Sequence, residues 1–371
     1  MQPYIPQTLP LEKLNYQQLF GLVGHANAAL ARYDGLLQSL VNPAVLLSPI
    51  TTQEAVLSSK IEGTQATLDE VLEHDAGIQM DEQKTQDIQE ISNYRKALSI
   101  ASEELGHRPM SLSLIKAIHA VLLDSVRGED KTPGAFRIKQ NWIGAAGCKI
   151  EQATFVPVSP LQLQDALDAW MAYVQSDDID ALLQMAVVHA QFELIHPFLD
   201  GNGRIGRLLI PLFLYQKKKL ASPMFYLSAY LEANREAYYA ALNDISSRQE
   251  WNGWIAFFLR GIAQQADENA AKVKAMQSLY DDMKRIIHEI THSQYSVYLL
   301  DAIFNKPIFK TSDCAARLKA EHGIHEKTTL GLLRQLKDEQ VLIELQSGSG
   351  RRAATLCFAD LINLAEGRSI L

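Results

Sequence analysis

The chain has 371 residues, 47% of them hydrophobic and 21% charged, and a formal net charge of −8. That length and apolar content suit two or three globular domains with a sizeable core. The acidic balance, without a long basic tract, excludes a general nucleic-acid coating role.

The three cysteines, Cys148, Cys314 and Cys357, are far apart, odd in number and without metal-finger spacing. A disulfide framework is therefore not expected, and a reducing cytoplasm is. Met1-Gln2-Pro3-Tyr4 has no basic region leading into an apolar run, so no signal peptide is expected. The longest apolar stretch, Ile205 to Tyr215, contains Arg207 and is too short to span a bilayer, so no membrane contact is expected.

Leu and Ala at helical spacing predict a helix from Leu11 to about Leu40, ended by Asn42-Pro43. After a second break at Ser48-Pro49, Thr51 or Thr52 caps a predicted helix carrying Glu54, Leu57, Ser58, Ile61 and Glu62, which stops at Gly63. Another starts near Thr67, a loop follows over Gly77 to Glu82, and amphipathic helices are predicted over Thr85–Leu105 and Ser111–Ser125. Between residues 127 and 160 the pattern changes. Arg127-Gly128 and Pro133-Gly134 are turn signals, and the apolar residues among Gly144, Gly147 and Pro157 predict a short hairpin or extended flap.

Helices are predicted again over Leu161–Gln175, Leu182–Ile195, Arg204–Gln216, Tyr226–Ser246, Trp251–Ala266 and Ala270–Glu289. Leu182–Ile195 is almost wholly apolar and reads as central and buried, and Trp251 and Trp254 read as packing residues. Beyond Thr291, helices at Tyr295–Phe304, Lys310–Lys319 and Lys327–Glu339 precede two strands, Val341–Leu345 and Ala354–Phe358, around Gly348-Ser349-Gly350. Three helices followed by a glycine-tipped hairpin is the winged-helix order.

The stretch most informative about chemistry is His-Pro-Phe-Leu-Asp-Gly-Asn-Gly-Arg-Ile-Gly-Arg, residues 196 to 207. The glycines of Gly201-Asn202-Gly203 allow backbone N–H groups to approach an anion closely, and the next helix points its N-terminus at the same place. Asn202 can add an amide, and Arg204 and Arg207 add forked donors suited to phosphate oxygens. Asp200 suits a Mg²⁺ shared with phosphates. His196, where a buried helix ends ahead of Pro197, suits a base that removes a hydroxyl proton.

This stretch resembles, at every fixed position, the signature of the Fic (filamentation induced by cAMP) family. Gly134-Ala135-Phe136-Arg137, Trp142-Ile143-Gly144 and Ala153-Thr154-Phe155-Val156-Pro157 are similar to its flap region. The likeness covers roughly residues 15 to 290. It implies a mostly α fold: a Fic-type helical core with a short β-hairpin flap, plus the C-terminal winged helix. The expected division is an N-terminal helical region at 1–105, a catalytic core at 106–275, a linker helix at 276–290 and the winged-helix domain at 291–371.

The resemblance also implies that AMP passes from ATP to a Ser, Thr or Tyr hydroxyl of a target protein, with His196 taking the proton. Asp200 would hold Mg²⁺, or Mn²⁺ in its place. Gly201, Asn202 and Gly203 would form the anion hole, with Arg204 and Arg207 on the β- and γ-phosphates. Ile150, Thr154, Phe155 and Val156 are the candidate flap residues that hold the target by strand addition. Pro157-Val158 stands where the family usually has two prolines. Ser58-Ser59-Lys60-Ile61-Glu62-Gly63 resembles the family's inhibitory pattern, which implies that Glu62 pairs with Arg207, with Ser58 on the same helical face. Tyr238 and Tyr239 resemble the pair lining the adenine and ribose pocket.

The expected partners are a target protein at the flap, the chain itself as a substrate, and a second copy as a homodimer. The helix at Lys327–Glu339 and Arg351-Arg352 on the wing carry nearly balanced charge, so DNA is a weaker expectation than protein contact. The alternatives are a nucleotide-sensing DNA-binding regulator, or a family enzyme that removes AMP or uses another phosphate-linked donor.

Overall fold

The computed structural model describes residues 2–124, 131–145, 147–350 and 352–369. Sixteen helices lie among them. The first six are α1 (Tyr16–Ser39), α2 (Pro43–Leu46), α3 (Ser48–Ile61), α4 (Leu68–Asp75), α5 (Glu82–Leu105) and α6 (Leu112–Leu122). Then come α7 (Leu163–Gln175), α8 (Ala181–Ile195), α9 (Asn202–Gln216), α10 (Ser228–Ala233), α11 (Arg235–Arg248) and α12 (Trp251–Thr291). The last four are α13 (Ser296–Asn305), α14 (Thr311–His322), α15 (Glu326–Asp338) and α16 (Ala359–Glu366). The strands are β1 (Ile308–Lys310), β2 (Ile343–Gln346) and β3 (Thr355–Cys357). The expectation of a mostly helical chain holds. Among the described residues no helix is long and apolar enough to cross a membrane.

The chain forms two compact units. One comprises the chain up to Gly35 together with Leu57–Thr64 and Gln89–Glu268; the other comprises Leu36–Val56, Gln65–Ile88 and the chain from Asn269. The first is built round α8, which packs against α7 and α9. α8 is buried on nearly every side, as an all-round apolar helix must be. Several of its polar groups and carbonyls have partners within the unit. Gln184 donates to the carbonyls of Tyr173 and Ser176 at 2.7 and 2.9 Å. The indoles of Trp170 and Trp254 donate to those of Val188 and Ala186 at 2.9 and 2.8 Å. Trp251 and Trp254 are both buried, as expected of packing residues.

In the second unit, β1, β3 and β2 form an antiparallel sheet in that order, with Cys357 opposite both Ile308 and Ile343. Leu299, Phe304, Leu318, Leu333, Leu336 and Leu356 are buried there.

Several sequence expectations need correction. α1 begins at Tyr16, five residues after the expected start at Leu11. Ser48-Pro49 is no break but the first turn of α3, where proline's missing N–H costs nothing. The Tyr226–Ser246 helix is two, α10 and α11, interrupted at Asn234. The two helices expected over 251–289 are one, α12, because Asp267 to Asn269 continue its pattern without a breaker. β1 was not expected: three residues after Pro307 carry too little periodicity to read. The flap is not a regular hairpin among the described residues; there a single bridge joins Ile143 to Phe155, and Ile150–Gln152 is a 3₁₀ turn. Arg127-Gly128, Ser125 and Arg351 lie outside the described residues.

α8 starts on Asp180, whose carboxylate accepts the N–H groups of Leu182 and Leu183 at 2.8 and 3.2 Å. Asp180→Ala should lower the unfolding free energy by about 1 kcal/mol, the usual cost of losing such a cap. Urea unfolding followed by tryptophan fluorescence measures this; an unchanged midpoint would contradict the assignment.

Candidate active site

The site is assembled in the first unit, where α8 ends and α9 begins. His196 caps α8 with φ 52° and ψ 61°, in the left-handed region. For a residue with a Cβ this costs roughly 1–2 kcal/mol, so neighbouring contacts must hold it. The ring Nδ1 lies 3.2 Å from the Glu193 carbonyl oxygen. A carbonyl only accepts, so Nδ1 carries the hydrogen and Nε2 is left as the basic nitrogen. Burial, joined by the charge of Arg137, pushes the His196 pKa down to about 4, so the ring is neutral near pH 7.

The loop from Pro197 to Gly201 is braced from inside. Asn202 accepts the Phe198 N–H at 2.8 Å and donates to the Phe198 carbonyl at 2.9 Å, so its amide is spent on the loop in this structure. Gly201 has φ 77°, which favours glycine, and a side chain there would crowd Leu122 and His119. Asn202 and Gly203, expected as part of the turn, are instead the first residues of α9. The backbone N–H groups of Asn202, Gly203 and Arg204 have no acceptor among the described residues. Three free N–H groups at a helix start form an anion-binding set. Asp200, whose side chain is half exposed, accepts the Gly201 N–H at 2.6 Å and lies 3.6 Å from Arg204.

Both arginines are buried. Arg204 pairs with Glu90 at 3.0 Å. Arg207 donates through Nε to the Ser58 hydroxyl at 2.9 Å, and through Nη2 to the Ser58 carbonyl at 2.9 Å and to Glu62 at 2.6 Å. Burial works against ionisation of Glu62, yet Arg207 holds its carboxyl below the usual range. A side chain on Gly203 would overlap the Glu62 carboxylate, so Glu62 lies directly against the start of α9. Arg235 adds a second hold on this segment: it donates to the Lys60 carbonyl at 2.6 Å and to that of Ile61.

Tyr238 is buried and its hydroxyl meets His189 Nε2 at 3.0 Å, whereas Tyr239 is 46% exposed; only Tyr239 is accessible to a ligand here. The flap residues Thr154 and Phe155 lie beside Ile143: Ile143 N–H donates to Phe155 at 2.8 Å and Thr154 N–H to Ile143 at 2.8 Å. Ile150 sits in the 3₁₀ turn, and Val156 is buried.

Sequence reasoning missed four supports. His119 accepts the Gly134 N–H on Nδ1 at 2.9 Å, so Nε2 donates to the Asp200 carbonyl at 3.0 Å, and the ring stacks on Phe198 at 3.6 Å. Burial lowers its pKa to about 4, which keeps it neutral. His189 bridges the Gly206 carbonyl and Tyr238. Arg137 is described below. Glu193 is the fourth: its Oε1 is buried with no hydrogen-bond partner among the described residues, tight against Gly206. The only available signal was a polar residue inside an apolar run, as with His119 in Leu112–Leu122 and Glu193 in Ala181–Ile195.

Burial pushes the Glu193 pKa up to about 8, with Glu62 adding to the rise and Arg207 opposing it. Unfolded, this carboxyl ionises near 4.5, so folding takes up a proton between pH 4.5 and 8. Its contribution is therefore full below pH 4.5 and is lost as pH rises through 8. Glu193→Gln should gain stability relative to the parent between pH 6 and pH 8.5 (rounded to about a unit). Urea unfolding at both values tests it; parallel pH dependences would show that Glu193 does not bind that proton.

Residues 20–103 match the N-terminal part of the Fic/DOC family and residues 109–214 match the Fic/DOC family itself, together just over half of the chain. Protein adenylyltransferase fic-1 of Caenorhabditis elegans is 28% identical over 190 residues, 50% of this chain and 32% of that protein. Probable protein adenylyltransferase aq_aa38 of Aquifex aeolicus (strain VF5) is 27% identical over 197 residues, 52% of this chain and 56% of that one. The chain thus spans only about a third and just over half of these two relatives. The crystal structure of a Fic family protein from Desulfovibrio desulfuricans G20 shares the fold, with a TM-score of 0.58 at 20% identity over 96% of this chain and 98% of that one. With the motif, the loop it builds and these matches in agreement, the chain belongs to the Fic/DOC family.

Proposed function

We propose that the protein transfers AMP from ATP to a hydroxyl of a protein, its own or another's, and that Glu62 holds this activity in check. The observation that carries the reading is one arrangement. A neutral histidine with its basic nitrogen unprotonated stands at one end of a short loop, and three free N–H groups and a buried guanidinium stand at the other. The matched relatives named as protein adenylyltransferases support the same chemistry.

His196 Nε2 takes the proton of the attacking hydroxyl. The oxygen forms a bond to the α-phosphorus, the bond from that phosphorus to the bridging oxygen breaks, and pyrophosphate leaves. The N–H groups of Asn202, Gly203 and Arg204 meet the charge that builds on the phosphates, fixed in place before the reaction. Asp200, with one side-chain oxygen engaged by the Gly201 N–H, retains acceptor capacity for Mg²⁺ or Mn²⁺, which suits a cation held by one carboxylate plus substrate phosphates. That cation, when bound, neutralises phosphate charge. Tyr239 is the accessible aromatic for the base.

Glu62 occupies the guanidinium of Arg207 that a terminal phosphate would otherwise take. Bound so, it would turn the triphosphate away from in-line geometry. The order α13, β1, α14, α15, β2, β3 supports a winged-helix module. Some of its cations are matched by acids, Lys319 with Glu326 at 2.8 Å and Lys337 with Glu344 at 3.1 Å, which leaves less charge for phosphate neutralisation and favours protein contact.

Wild type, Glu62→Gly and Glu62→Gly/His196→Ala, incubated with α-³²P-labelled ATP and Mg²⁺ in the presence of lysate, test the proposal. Glu62→Gly should label protein at least roughly tenfold above wild type, and the double variant should lose that label, as expected when a general base is removed. No label in any variant, with nucleotide binding confirmed, would overturn the reading.

A further inference from the structure

We propose that Arg137 is a positioning residue that registers the flap against His196; the role rests on the AMP-transfer reading above. Arg137 is buried, and its donors divide between two parts of the first unit. Towards the loop, Nε donates to the His196 carbonyl at 2.8 Å and Nη2 to the Ile195 carbonyl at 3.2 Å. Its own backbone N–H donates to the Pro197 carbonyl at 2.9 Å. Three consecutive carbonyls at the end of α8, left without helical partners by the left-handed turn, thus end on one residue. A cation at a helix C-terminus also matches the negative end of the helix dipole.

Towards the flap, Nη2 donates to the Val158 carbonyl and Nη1 reaches the Lys139 carbonyl at 3.4 Å. Lys139 and Val158 are the two feet of the segment that carries Ile143 and Phe155. Among the described residues that segment has a single bridge of its own, so its place relative to His196 is set by its feet and by Tyr4, whose N–H donates to the Val156 carbonyl at 2.9 Å. Two weaker ties run alongside: Asn141 donates to the Phe198 carbonyl at 3.0 Å and Gln140 to the Pro157 carbonyl at 3.1 Å. A planar guanidinium can face both sets of carbonyls at once, which a lysine ammonium cannot. The result is a fixed separation between the base and whatever hydroxyl the flap presents.

A misplacement near 1 Å would therefore lower turnover without weakening nucleotide binding. The test is made in the Glu62→Gly background, with the chain's own modification as the measured transfer. Glu62→Gly/Arg137→Lys should lose roughly 100-fold in kcat, while KM for ATP and the calorimetric affinity for Mg-ATP stay within about threefold. Unchanged kcat, or a loss of nucleotide affinity in step with it, would overturn the proposal. Arg137→Gln, which keeps two N–H donors, takes its place if the lysine variant does not fold; failure of both to fold would mark Arg137 as scaffold only and also overturn it.

If Glu62→Gly itself transfers no AMP, the functional reading falls, and the positioning role is read without turnover. The amides of Ile143 and Thr154, which bond across the flap, should exchange their hydrogens faster in Arg137→Gln by NMR, while those inside α8 do not. Unchanged exchange at the flap would overturn the proposal.

Discussion

A guanidinium cannot give up its charge inside a protein, and the site is arranged round that constraint. Arg207 is almost fully buried, inside a helix that continues as an apolar run from Leu208 to Leu214. Burial opposes its charge, and Glu62, joined by Tyr238 and Glu193, outweighs burial. The Ser58 hydroxyl and carbonyl take two more of its donors. A segment far away in sequence is thereby committed to the start of α9, and Gly203 must remain glycine to admit it. Arg204 repeats the pattern on a smaller scale with Glu90. Removing one partner from such a pair leaves a charge in the interior at a cost of roughly 3–5 kcal/mol, less where water reaches the site.

The second constraint is the turn at His196. The helix must end so that a ring can leave it, and the backbone must enter the left-handed region to do so. The loop that follows is built from inward contacts: Asn202 on Phe198, His119 on Asp200 and Phe198, Arg137 on three carbonyls. Few of these side chains can meet a ligand themselves. They hold the atoms that do, namely one imidazole nitrogen and a row of backbone N–H groups, in place before any ligand arrives.

What could be read from the sequence follows from how local each feature is. Residues 196 to 207 are contiguous, so their chemistry and their helix–loop–helix setting were legible together. Glu62 could be linked to Arg207 only through a family pattern, because no spacing connects residues 145 positions apart. His119 and Glu193 were legible only as polar residues in apolar runs, and Arg137 only as part of a stretch resembling the flap region; their roles depend on tertiary contacts that no period encodes. The flap misled for a physical reason. Its Gly, Thr and aromatic residues fit an extended strand, yet one bridge and a 3₁₀ turn hold it, because its feet are tied to the core instead of to a neighbouring strand. The continuity of α12 was missed because Asp267-Glu268-Asn269 is polar like a loop, although none of the three breaks a helix as Pro or Gly would.

The two partners of the central ion pair are unequal, and the inequality says which one moves. Arg207 has about 1% of its side chain accessible, Glu62 about a third. Glu62 lies just past the last turn of α3, where the chain leaves the helix at Gly63. On the proposed reading it can enter water at small cost, whereas Arg207 would be stranded. A departing Glu62 must therefore be matched by an arriving anion, and a terminal phosphate brings more charge than the carboxylate it replaces. Release then becomes an exchange of anions on one fixed cation. An exchange of this kind is sensitive to anything that loosens α3, and the carbonyls of Lys60 and Ile61 held by Arg235 are the next bonds such a signal would have to break.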